Sequence, residues 1–372
     1  MNKKITVLPG DGIGPEVVEQ GIKVINAINS VFEHTFELKK ADFGAISIDK
    51  HGTPLTDETL ADCLDSDAIF LGAIGDPKFD DDPTLPVRPE QGLLKLRKSL
   101  QLFSNIRPIM TYDLLNDVSP LKNHLLKEVD FVIYRELTGG IYFGEKKISE
   151  DKTKASDLCE YTESEISRIA YQAFEAAGNR RNKLTLIDKA NVLESSRLWR
   201  RVIQDISKEY PKVEVDYLFV DNAAMQVMLN PGQFDVILTE NMFGDIISDL
   251  ASVITGSLGM LPSASVGNKV AMFEPIHGSY PQAKGKDIAN PMAAILSVAM
   301  MYEHLGLFQE AEMIKNGVKW ALNNGIATRD INKNEEPSSC SKVGDIVAWF
   351  IEEKGKVNIN SNSTKLSLNC II

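Results

Sequence analysis

The stretch FDVILTENMFGDIISDLAS, Phe234–Ser252, changes its pattern near Asn241. FDVILTEN is an apolar, β-branched run typical of a buried strand, and the residues after it suit an amphipathic helix. On that helix Asp245 and Asp249 would share one face, where two like charges cost about 0.2–0.5 kcal/mol. The spacing leaves two interpretations open: a solvent-exposed helix face, or a pair of ligands for a divalent cation.

The same alternation of strand and helix patterns runs along most of the chain. Further strands are predicted at Ile5–Leu8, Ala68–Ala73, Phe131–Leu137, Leu184–Asp188, Val215–Asp221 and Val270–Pro275. Helices are predicted from Pro15 and over Ala293–Gly306, the second one buried and closed by its glycine. Because strands that alternate with helices form parallel sheets, the sequence predicts an α/β protein with a largely parallel sheet.

The glycine-rich segment LPGDGIGPE, Leu8–Glu16, lies between the first strand and the first helix. Gly10, Gly12 and Gly14 give GxGxG, whereas the dinucleotide fingerprint is GxGxxG. The acidic residue Asp42 also comes about ten residues too late for that fingerprint. The spacing therefore argues against a standard Rossmann site. It favours a tight strand-to-helix turn in which only glycine fits.

Length, charge and cysteine content limit the class of protein. The 372 residues suffice for about two domains, and the net charge of −12 does not favour binding to nucleic acid or to an anionic membrane. The N-terminus enters a strand pattern without a signal peptide, and no apolar run reaches ~18 residues, so a cytoplasmic protein is predicted. The four cysteines have no metal-binding spacing and are predicted to be structural thiols. The Asn- and Ser-rich end, from about residue 356, is predicted to fray.

Several reactive side chains follow predicted strands directly: Arg135, Lys189, Asp221 and Asn241. In α/β sheets ligands gather beyond the carboxyl ends of the strands, so this shared position favours one functional site. Two more arginines, Arg97 and Arg107, lie in the segment GLLKLRKSLQLFSNIRP. Guanidinium groups can pair with carboxylates through two parallel hydrogen bonds, although each arginine taken singly is also compatible with a surface charge.

Seven short segments carry a family resemblance. In chain order they are GDGIGPEV, GLLKLRK, RELTGGIYFG, DKANVLE, FGDIISDLAS, GSLGMLPSAS and FEPIHGS…IANP. In them the chain resembles the β-decarboxylating dehydrogenases, the family of isocitrate and 3-isopropylmalate dehydrogenases, from Ile5 to about Phe350. The resemblance implies a two-domain α/β fold with a mostly parallel sheet core, distinct from a standard Rossmann fold. It assigns 1–102 and 256–372 to an NAD-binding domain, and 103–255 to a domain with the dimerisation, metal and catalytic residues.

The resemblance also implies roles for individual residues. Arg97, Arg107 and Arg135 would hold the malate carboxylates. Asp245 and Asp249 would bind Mg²⁺ or Mn²⁺, joined by Asp221 of the partner subunit, which would also lie against the substrate. The partner subunit's Lys189 would be the general base on the C2 hydroxyl, and Tyr142 would protonate the enolate after CO₂ leaves.

Other residues are assigned by the resemblance to the rest of the substrate and to the cofactor. The alkyl substituent of the substrate would be enclosed by Glu90, Leu93, Leu94 and Val192. NAD would be bound by Asn191, Glu274, His277, Gly278, Ser279, Gln282 and Asn290. In this scheme two chains form a homodimer, and each active site is shared between them.

The segments GLLKLRK and RELTGGIYFG are similar to those of the isopropylmalate-oxidising members of the family. The implied reaction is NAD-dependent oxidative decarboxylation of 3-isopropylmalate to 4-methyl-2-oxopentanoate and CO₂ in leucine biosynthesis. Burial of three substrate carbons could contribute about 2 kcal/mol, whereas the third carboxylate of isocitrate would lack a partner there. The alternatives are a dehydrogenase of the tartrate, homoisocitrate or isocitrate type, or a non-catalytic regulatory subunit.

Gln282 departs from the family pattern in the segment HGSYPQAKGKDIANP. NAD-using members usually carry an aspartate there to hold the ribose hydroxyls, and NADP-using relatives carry a lysine–tyrosine pair. An amide can hydrogen-bond a ribose, but it has no charge to attract or repel a 2′-phosphate. Because Ala283 follows, the sequence predicts NAD as the cofactor, with weaker discrimination against NADP than is usual.

Overall fold

The computed structural model describes residues 1–79, 85–332 and 336–358, with side chains up to residue 353. The predicted fraying of the C-terminal end falls almost entirely outside these ranges, as does the thiol prediction for Cys370. The chain forms two compact units. The first consists of Met1–Leu100 and the described residues from Ser257 onward, and the second of Gln101–Gly256.

Strands and helices alternate along the described chain. The strands are β1 (Asn2–Gly10), β2 (Thr35–Lys40), β3 (Ala68–Ala73), β4 (Ser104–Met110), β5 (Asp130–Glu136), β6 (Lys146–Ile148), β7 (Ala155–Asp157), β8 (Lys183–Asp188), β9 (Glu214–Phe219), β10 (Val236–Thr239), β11 (Pro262–Val266) and β12 (Ala271–Pro275). The helices are α1 (Gly14–Phe32), α2 (Ala45–His51), α3 (Asp57–Leu64), α4 (Pro89–Ser99), α5 (Glu163–Gly178), α6 (Glu194–Ser207), α7 (Val220–Leu229), α8 (Asn241–Ser252), α9 (Met292–His304), α10 (Phe308–Asn323) and α11 (Cys340–Asn358). The predicted α/β class is confirmed.

In the first unit the strands lie in the order β2-β1-β3-β12-β11. β1 pairs in parallel with β2 and β3, and β3 pairs in parallel with β12, whereas β11 runs antiparallel to β12. Every residue of β3 is buried, as expected for a parallel strand covered on both faces. The helix predicted near Ala293–Gly306 is α9, which is buried along nearly its whole length and is followed by Gly306 at φ +76°.

In the second unit the strands lie in the order β4-β5-β10-β8-β9. In this sheet β4 is antiparallel to β5 and the other pairs are parallel, whereas β6 and β7 form a separate antiparallel pair. The register aligns Thr239 with Arg135 on one side and with Ile187 on the other, and Asp188 with Phe219. The carboxyl ends of these parallel strands therefore meet at one edge. Lys189, Asp221 and Asn241 follow β8, β9 and β10 at this edge as predicted, whereas Arg135 lies within β5, one residue before its end. The mostly parallel sheet is confirmed.

Two strands end earlier than the sequence predicts. The apolar run to Asp221 suggests a strand, but β9 ends at Phe219 and α7 begins at Val220. Likewise β10 ends at Thr239, and α8 begins at Asn241. The ladder between β8 and β9 stops at the pair Asp188 and Phe219. Residues beyond the ladder have no neighbouring strand, so their backbone groups find their hydrogen-bond partners in a helix.

The turn after β1 explains the glycines of its segment. Gly10 and Gly12 have φ values of +70° and +58°, a region that residues with a Cβ rarely occupy. A Cβ on Gly10 would stand 2.0 Å from the carbonyl oxygen of Ala73, and one on Gly12 would stand 1.9 Å from that of Ser279. α1 begins directly afterwards, at Gly14. The prediction of a tight turn that only glycine can form is confirmed.

The described cysteines have the character of structural thiols. Cys63 and Cys340 are buried, and burial raises the pKa of each thiol to about 12. Cys159 is half-buried, and its pKa is also raised by burial. A thiol with a raised pKa carries little of the nucleophilic thiolate at neutral pH. Within the described ranges, none of the helices combines the length and apolar character that a membrane crossing requires.

Candidate active site

Helix α8 follows β10 directly and carries two aspartates beside two arginines. Asp249 Oδ1 accepts a hydrogen bond from Arg107 Nη1 at 2.7 Å, and Asp245 Oδ1 accepts one from Arg135 Nη1. The arginine side chains are 13% and 7% exposed, whereas Asp249 and Asp245 are 69% and 36% exposed. The two like charges on this helix face therefore have cationic partners within the same chain. The sequence did not predict these pairs.

Arg107, on β4, is also held by uncharged side chains. Its Nε donates to Asn105 Oδ1 at 2.9 Å, and its Nη1 donates to Ser248 Oγ at 2.7 Å. Asn105 lies two residues before Arg107, so both project from the same face of the strand. Ser248 directly precedes Asp249 on α8. Sequence reasoning missed both residues, and the period of two along a strand is the signal that could have identified Asn105.

Arg135, near the end of β5, is fixed by the start of α8. Its Nε and Nη2 donate to Asn241 Oδ1 at 3.1 and 2.8 Å. Gly244 lies against the aliphatic part of the arginine, because a Cβ there would stand 2.6 Å from Arg135 Cγ. Only glycine lets the helix backbone come this close. The glycine of the FGDI segment thus has a packing reason that spacing alone does not reveal.

Tyr142 lies at the end of a short 3₁₀ turn, Gly140–Tyr142. Its hydroxyl donates to Asp245 Oδ2 at 2.8 Å, and the Arg135 guanidinium lies 5.9 Å from the centre of its ring. Partial burial and the Asp245 carboxylate raise the pKa of Tyr142 above its ordinary value. The phenol therefore keeps its proton at neutral pH, as a proton donor requires.

Lys189 and Asp221 form a second charged pair. Lys189 Nζ donates to Asp221 Oδ1, and the side chains are 26% and 66% exposed. The hydrogen bond from Lys189 lowers the pKa of Asp221, so this carboxylate stays ionised at neutral pH. The lysine backbone is anchored as well, since its N–H donates to Ser196 Oγ at 3.1 Å. The pair thus joins the residues that follow β8 to the first turn of α7.

The aspartates of α8 offer carboxylate oxygens, which are the ligands that Mg²⁺ and Mn²⁺ prefer. Asp249 is largely exposed and can be reached from solvent. Over the part of the chain that the structure describes, no group of three or more His, Cys, Asp or Glu side chains is arranged to hold a metal ion. The carboxylate pair itself fits a hard divalent cation in its chemistry.

In the first unit, α4 carries the arginine of the GLLKLRK segment. Arg97 Nη2 donates to Glu274 Oε1 at 3.0 Å, and the two side chains are 18% and 13% exposed. Arg97 Nε is buried and has no hydrogen-bond partner among the described residues. On the same helix Leu93 is half-buried and Leu94 is 49% exposed. The structure thus pairs a predicted substrate ligand with a predicted cofactor ligand.

The segment after β12 contains most of the predicted cofactor residues. The carbonyl of Ser279 accepts a hydrogen bond from the N–H of Ile13 at 2.8 Å, which ties this segment to the glycine turn. His277 Nε2 is buried without a hydrogen-bond partner among the described residues, and burial lowers the pKa of this imidazole. Around Gly278 there is open space where a Cβ would stand. A buried, unpaired ring nitrogen beside open space fits a polar ligand such as a nucleotide.

Two other predicted cofactor residues differ in their surroundings. Gln282 is exposed on the turn Pro281–Ala283. Asn290 is buried, and its amide is already engaged, because Nδ2 donates to Asp330 Oδ2 at 3.0 Å and Oδ1 accepts from the N–H of Met292 at 3.0 Å. The side chain of Asn290 therefore serves the local structure in the first place.

A family model described as isocitrate/isopropylmalate dehydrogenase matches residues 4–347. The chain belongs to this dehydrogenase family. The resemblance carried by its seven segments is thereby confirmed. Members of such a family can nevertheless differ in substrate, because substrate choice depends on the site and not on the fold.

Relatives of known name cover nearly the whole chain. A 3-isopropylmalate dehydrogenase from Bacteroides fragilis is 50% identical over 353 residues, which cover 95% of this chain and 99% of that protein. One from Bacillus subtilis is 49% identical over 364 residues, covering 96% of this chain and 100% of the relative.

Solved structures of similar fold include two dehydrogenases. The crystal structure of isocitrate dehydrogenase from Methylococcus capsulatus superposes with a TM-score of 0.83 at 33% identity, covering 94% of this chain and 99% of the other. The β-decarboxylating dehydrogenase from Thermococcus kodakarensis gives a TM-score of 0.81 at 33% identity, covering 97% of this chain and 100% of the other. Both support the fold described above.

In this dehydrogenase the predicted site residues fall into separate groups. Around α8 the structure brings together Arg107, Arg135, Tyr142, Asp245 and Asp249. Lys189 and Asp221 contact each other, and the nearby Asn191 and Val192 are exposed. In the first unit Arg97 and Glu274 are paired, whereas Glu90, Leu94 and Gln282 are exposed. The functional roles of all these residues stay predictions.

Proposed function

We propose that this chain is an NAD-dependent 3-isopropylmalate dehydrogenase, a cytoplasmic homodimer that produces 4-methyl-2-oxopentanoate and CO₂ in leucine biosynthesis. The observation that carries the proposal is the cluster on α8, in which the largely buried Arg107, the buried Arg135 and Tyr142 converge on two carboxylates. Such a cluster combines anion recognition, a proton donor and oxygen ligands in one place. The relatives named 3-isopropylmalate dehydrogenase, at about half identity, support the choice of substrate.

Recognition of the malate would depend on its two carboxylates. Arg107 and Arg135 are suited to it because their guanidinium planes are held by neighbouring side chains and a fixed fork matches a carboxylate with little loss of freedom. Arg97 would act in the same way from α4. When substrate binds, its carboxylates would share these arginines with Asp249, Asp245 and Glu274.

The proton and hydride steps follow from the side chains at hand. The partner's Lys189 would take the proton of the C2 hydroxyl, and NAD, when bound, would supply the acceptor for the hydride from C2, so that a 2-oxo acid results. The bond between C3 and its carboxylate then breaks, CO₂ departs, and the electron pair forms an enolate. Tyr142 would donate its proton to C3, since its raised pKa keeps the phenol protonated at neutral pH before this step.

The residues that would hold a divalent cation are Asp245 and Asp249, with Asp221 of the partner subunit. A bound Mg²⁺ or Mn²⁺ would polarise the C2 oxygen and stabilise the negative charge of the enolate. The protein's own contribution is to hold Asp249 and Asp245 in place through hydrogen bonds from Arg107 and Arg135. The arginines also limit the repulsion between the two aspartates on one helix face.

Selection among malates would depend on apolar side chains. Leu93 and Leu94 on α4 and Val192 after β8 would cover the isopropyl group, and Leu94 and Val192 are 49% and 61% exposed in the single chain. Burial of three substrate carbons contributes about 2 kcal/mol. The isocitrate dehydrogenase from Methylococcus capsulatus keeps isocitrate as the second candidate. A non-catalytic subunit is disfavoured because Tyr142, Lys189, Asp221, Asp245 and Asp249 are all present.

One assay tests this proposal directly. The purified protein is mixed with Mg²⁺ and NAD, and reduction of NAD is followed with 3-isopropylmalate, isocitrate, malate and tartrate side by side. The highest kcat/KM is expected with 3-isopropylmalate. A higher kcat/KM with isocitrate would replace the proposed substrate, and absence of reduction with all four would overturn the enzymatic proposal.

Removal of the metal gives a second outcome in the same assay. Exhaustive treatment with EDTA is expected to abolish turnover, and addition of Mg²⁺ or Mn²⁺ is expected to restore it, because the carboxylates of α8 are hard oxygen ligands. Treatment with the calcium complex of EDTA controls for effects of the chelator itself. Full activity after chelation would contradict the metal assignment while leaving the substrate assignment intact.

A further inference from the structure

Asn241 is a buried side chain to which the proposed reaction gives no role. It is the first residue of α8 and is 1% exposed. It follows β10 at the same edge of the sheet as Arg135 and Lys189, so its position in the sequence already indicated a functional group. A buried amide has to satisfy both its oxygen and its nitrogen, and the partners that it uses indicate what it does.

The oxygen of the amide holds one edge of a guanidinium. Asn241 Oδ1 accepts from Arg135 Nε at 3.1 Å and from Nη2 at 2.8 Å. The guanidinium is planar, so two contacts along one edge fix its rotation as well as its position. Arg135 Nη1 donates to Asp245 at another point of the same plane. The direction of the Arg135 side chain is therefore set by α8.

The nitrogen of the amide holds the turn that carries Tyr142. Asn241 Nδ2 donates to the carbonyl of Gly139 at 3.1 Å, and the turn Gly140–Tyr142 follows directly. A flipped amide would face arginine N–H groups with its own N–H groups, and a carbonyl with its oxygen. The contacts on the two sides thus allow a single orientation of the amide.

The backbone of Asn241 is anchored to Tyr161, a residue that packs against the same turn. Its N–H donates to the hydroxyl of Tyr161 at 3.0 Å. Gly140 has φ +73°, and a Cβ there would stand 2.1 Å from that hydroxyl. Tyr161 therefore lies against the turn on one side and against the start of α8 on the other. Through Asn241, the position of Arg135 and the position of the Tyr142 turn depend on the same few contacts.

We propose that Asn241 is a positioning residue, which orients Arg135 toward a substrate carboxylate and sets the Gly139–Tyr142 segment at the matching distance. This inference rests on the proposed function, in which Arg135 binds the malate and Tyr142 donates a proton. Asn241 itself touches neither substrate nor cofactor in this assignment. Its loss should impair binding of the malate and the proton transfer, but not binding of NAD.

Asn241→Leu is the direct test, because leucine has a similar volume and none of the polar contacts. A hydrogen bond to a charged group is worth about a tenfold to hundredfold change in an equilibrium constant. The KM for the malate is therefore expected to rise by about that factor, and kcat is expected to fall, while the KM for NAD changes less than about twofold. A malate KM equal to that of the wild type would overturn the proposal.

Thr239→Val is the matched control at the end of β10. Thr239 is fully buried, and its Oγ1 has no hydrogen-bond partner among the described residues. Valine has the same shape, so this variant is expected to keep the kinetic constants and the melting temperature of the wild type. It controls for general disturbance of the region. A loss of malate binding equal to that of Asn241→Leu would show that any buried change here has this effect, and would overturn the specific role.

A double-mutant cycle with Arg135→Lys separates positioning from a structural role. If Asn241 acts through Arg135, Asn241→Leu should raise the malate KM strongly in the wild type but by less than about threefold in the Arg135→Lys background. If the KM increases caused by the two single substitutions multiply in the double variant, the two residues act independently, and the proposal is overturned. Should Asn241→Leu fail to fold, Asn241→Ala takes its place in the cycle, since alanine also removes both the acceptor for Arg135 and the donor to Gly139.

The substrate used in the cycle keeps two possible failures apart. All variants are measured with whichever of the four malates the wild type oxidises best. A preference for isocitrate over 3-isopropylmalate would overturn the proposed substrate but not the role of Asn241, since both malates present carboxylates to Arg135. Unchanged malate binding in Asn241→Leu would overturn the role of Asn241 while the wild-type activity still supports the proposed function.

Discussion

The turn after β1 and the start of α8 both connect a strand to a helix, but different kinds of contact hold them in place. In the turn, the carboxylate of Asp11 accepts from the backbone N–H groups of Ala45, Ile46 and Gly75, at 2.9, 3.1 and 3.0 Å. At α8 the contacts join side chains to side chains, as between Asn241 and Arg135. Both regions follow a strand of a parallel sheet and lead into a helix.

The turn thus depends on close steric fit, whereas the region around α8 depends on the balance of charges. Around the turn, glycine at positive φ lets backbone segments meet, and an added methyl group has nowhere to go. Around α8, arginines and carboxylates partly neutralise one another, and a bound anion or cation can change their balance. We therefore expect substitutions in the turn to affect stability first, and substitutions around α8 to affect activity first.

The largest effect is expected for the charged groups of the second unit. Lys189→Ala and Asp245→Ala should each lose about 100-fold to 10,000-fold in kcat, because one removes a general base and the other a cation ligand. Each pure variant should keep the fold of the wild type, as judged by circular dichroism and by its melting temperature. Activity that survives either change at more than about a tenth of the wild-type rate would contradict the expectation that changes around α8 affect activity first.

Mixing these two variants tests whether active sites are shared between chains. In a mixed dimer one shared site carries both lesions and the other carries none. With random mixing roughly half of the dimers are mixed, so about a quarter of wild-type activity should return after the two are unfolded and refolded together. Each variant refolded alone is the control. A mixture as inactive as its parents, and equally well folded, would place both residues in the site of one chain.

The next effect concerns stability and belongs to the turn. Gly12→Ala should lower the free energy of unfolding by about 2–4 kcal/mol, because the methyl group would meet the Ser279 carbonyl at a positive φ. Gly285→Ala is the matched control, since Gly285 has φ +76° but open space around the missing Cβ. It should lose only about 1 kcal/mol. Denaturant unfolding measures the loss of stability in both variants. Equal losses would mean that the positive φ, and not the close approach to the Ser279 carbonyl, causes the destabilisation.

A smaller effect is expected from a change of charge in the first unit. Gln282→Asp should increase the preference for NAD over NADP, since a carboxylate accepts from ribose hydroxyls and repels a 2′-phosphate by about 1–4 kcal/mol at short range. The turnover number with NAD should change little. The ratio of kcat/KM for the two cofactors is the measurement, with Gln282→Ala as the uncharged control. A ratio that stays constant in Gln282→Asp would mean that this position does not face the ribose.

The smallest effect is expected from the apolar residue of α4. Leu94→Ala should reduce the preference for 3-isopropylmalate over malate by about fivefold to tenfold, because part of the apolar cover of the isopropyl group is lost. Since Leu94 is 49% exposed in the single chain, stability should hardly change. An unaltered ratio of kcat/KM between the two substrates would show that Leu94 does not line the pocket.

Much of the second unit could be predicted from local pattern. The strands that precede Lys189 and Asn241 are apolar, β-branched runs, and the helix of Asp245 follows from the pattern after Asn241. The ends of β9 and β10 were predicted too late, because an apolar run does not show where the neighbouring strand stops. The partners of the aspartates were missed for a related reason. Arg135 and Asp245 are 110 residues apart, and Arg107 and Asp249 are 142 apart.

The sequence by itself determined the alternation of strands and helices, the glycine turn, the family and the identity of the reactive side chains, because these depend on periodicity, on the absence of a Cβ and on short motifs. The tertiary structure alone decided that Arg107 and Arg135 neutralise the aspartates of α8, that Gly244 admits Arg135, and that Asn241 joins this arginine to the turn of Tyr142. These contacts depend on strand order and register, which bring distant segments to one edge of the sheet. No local pattern contains that information.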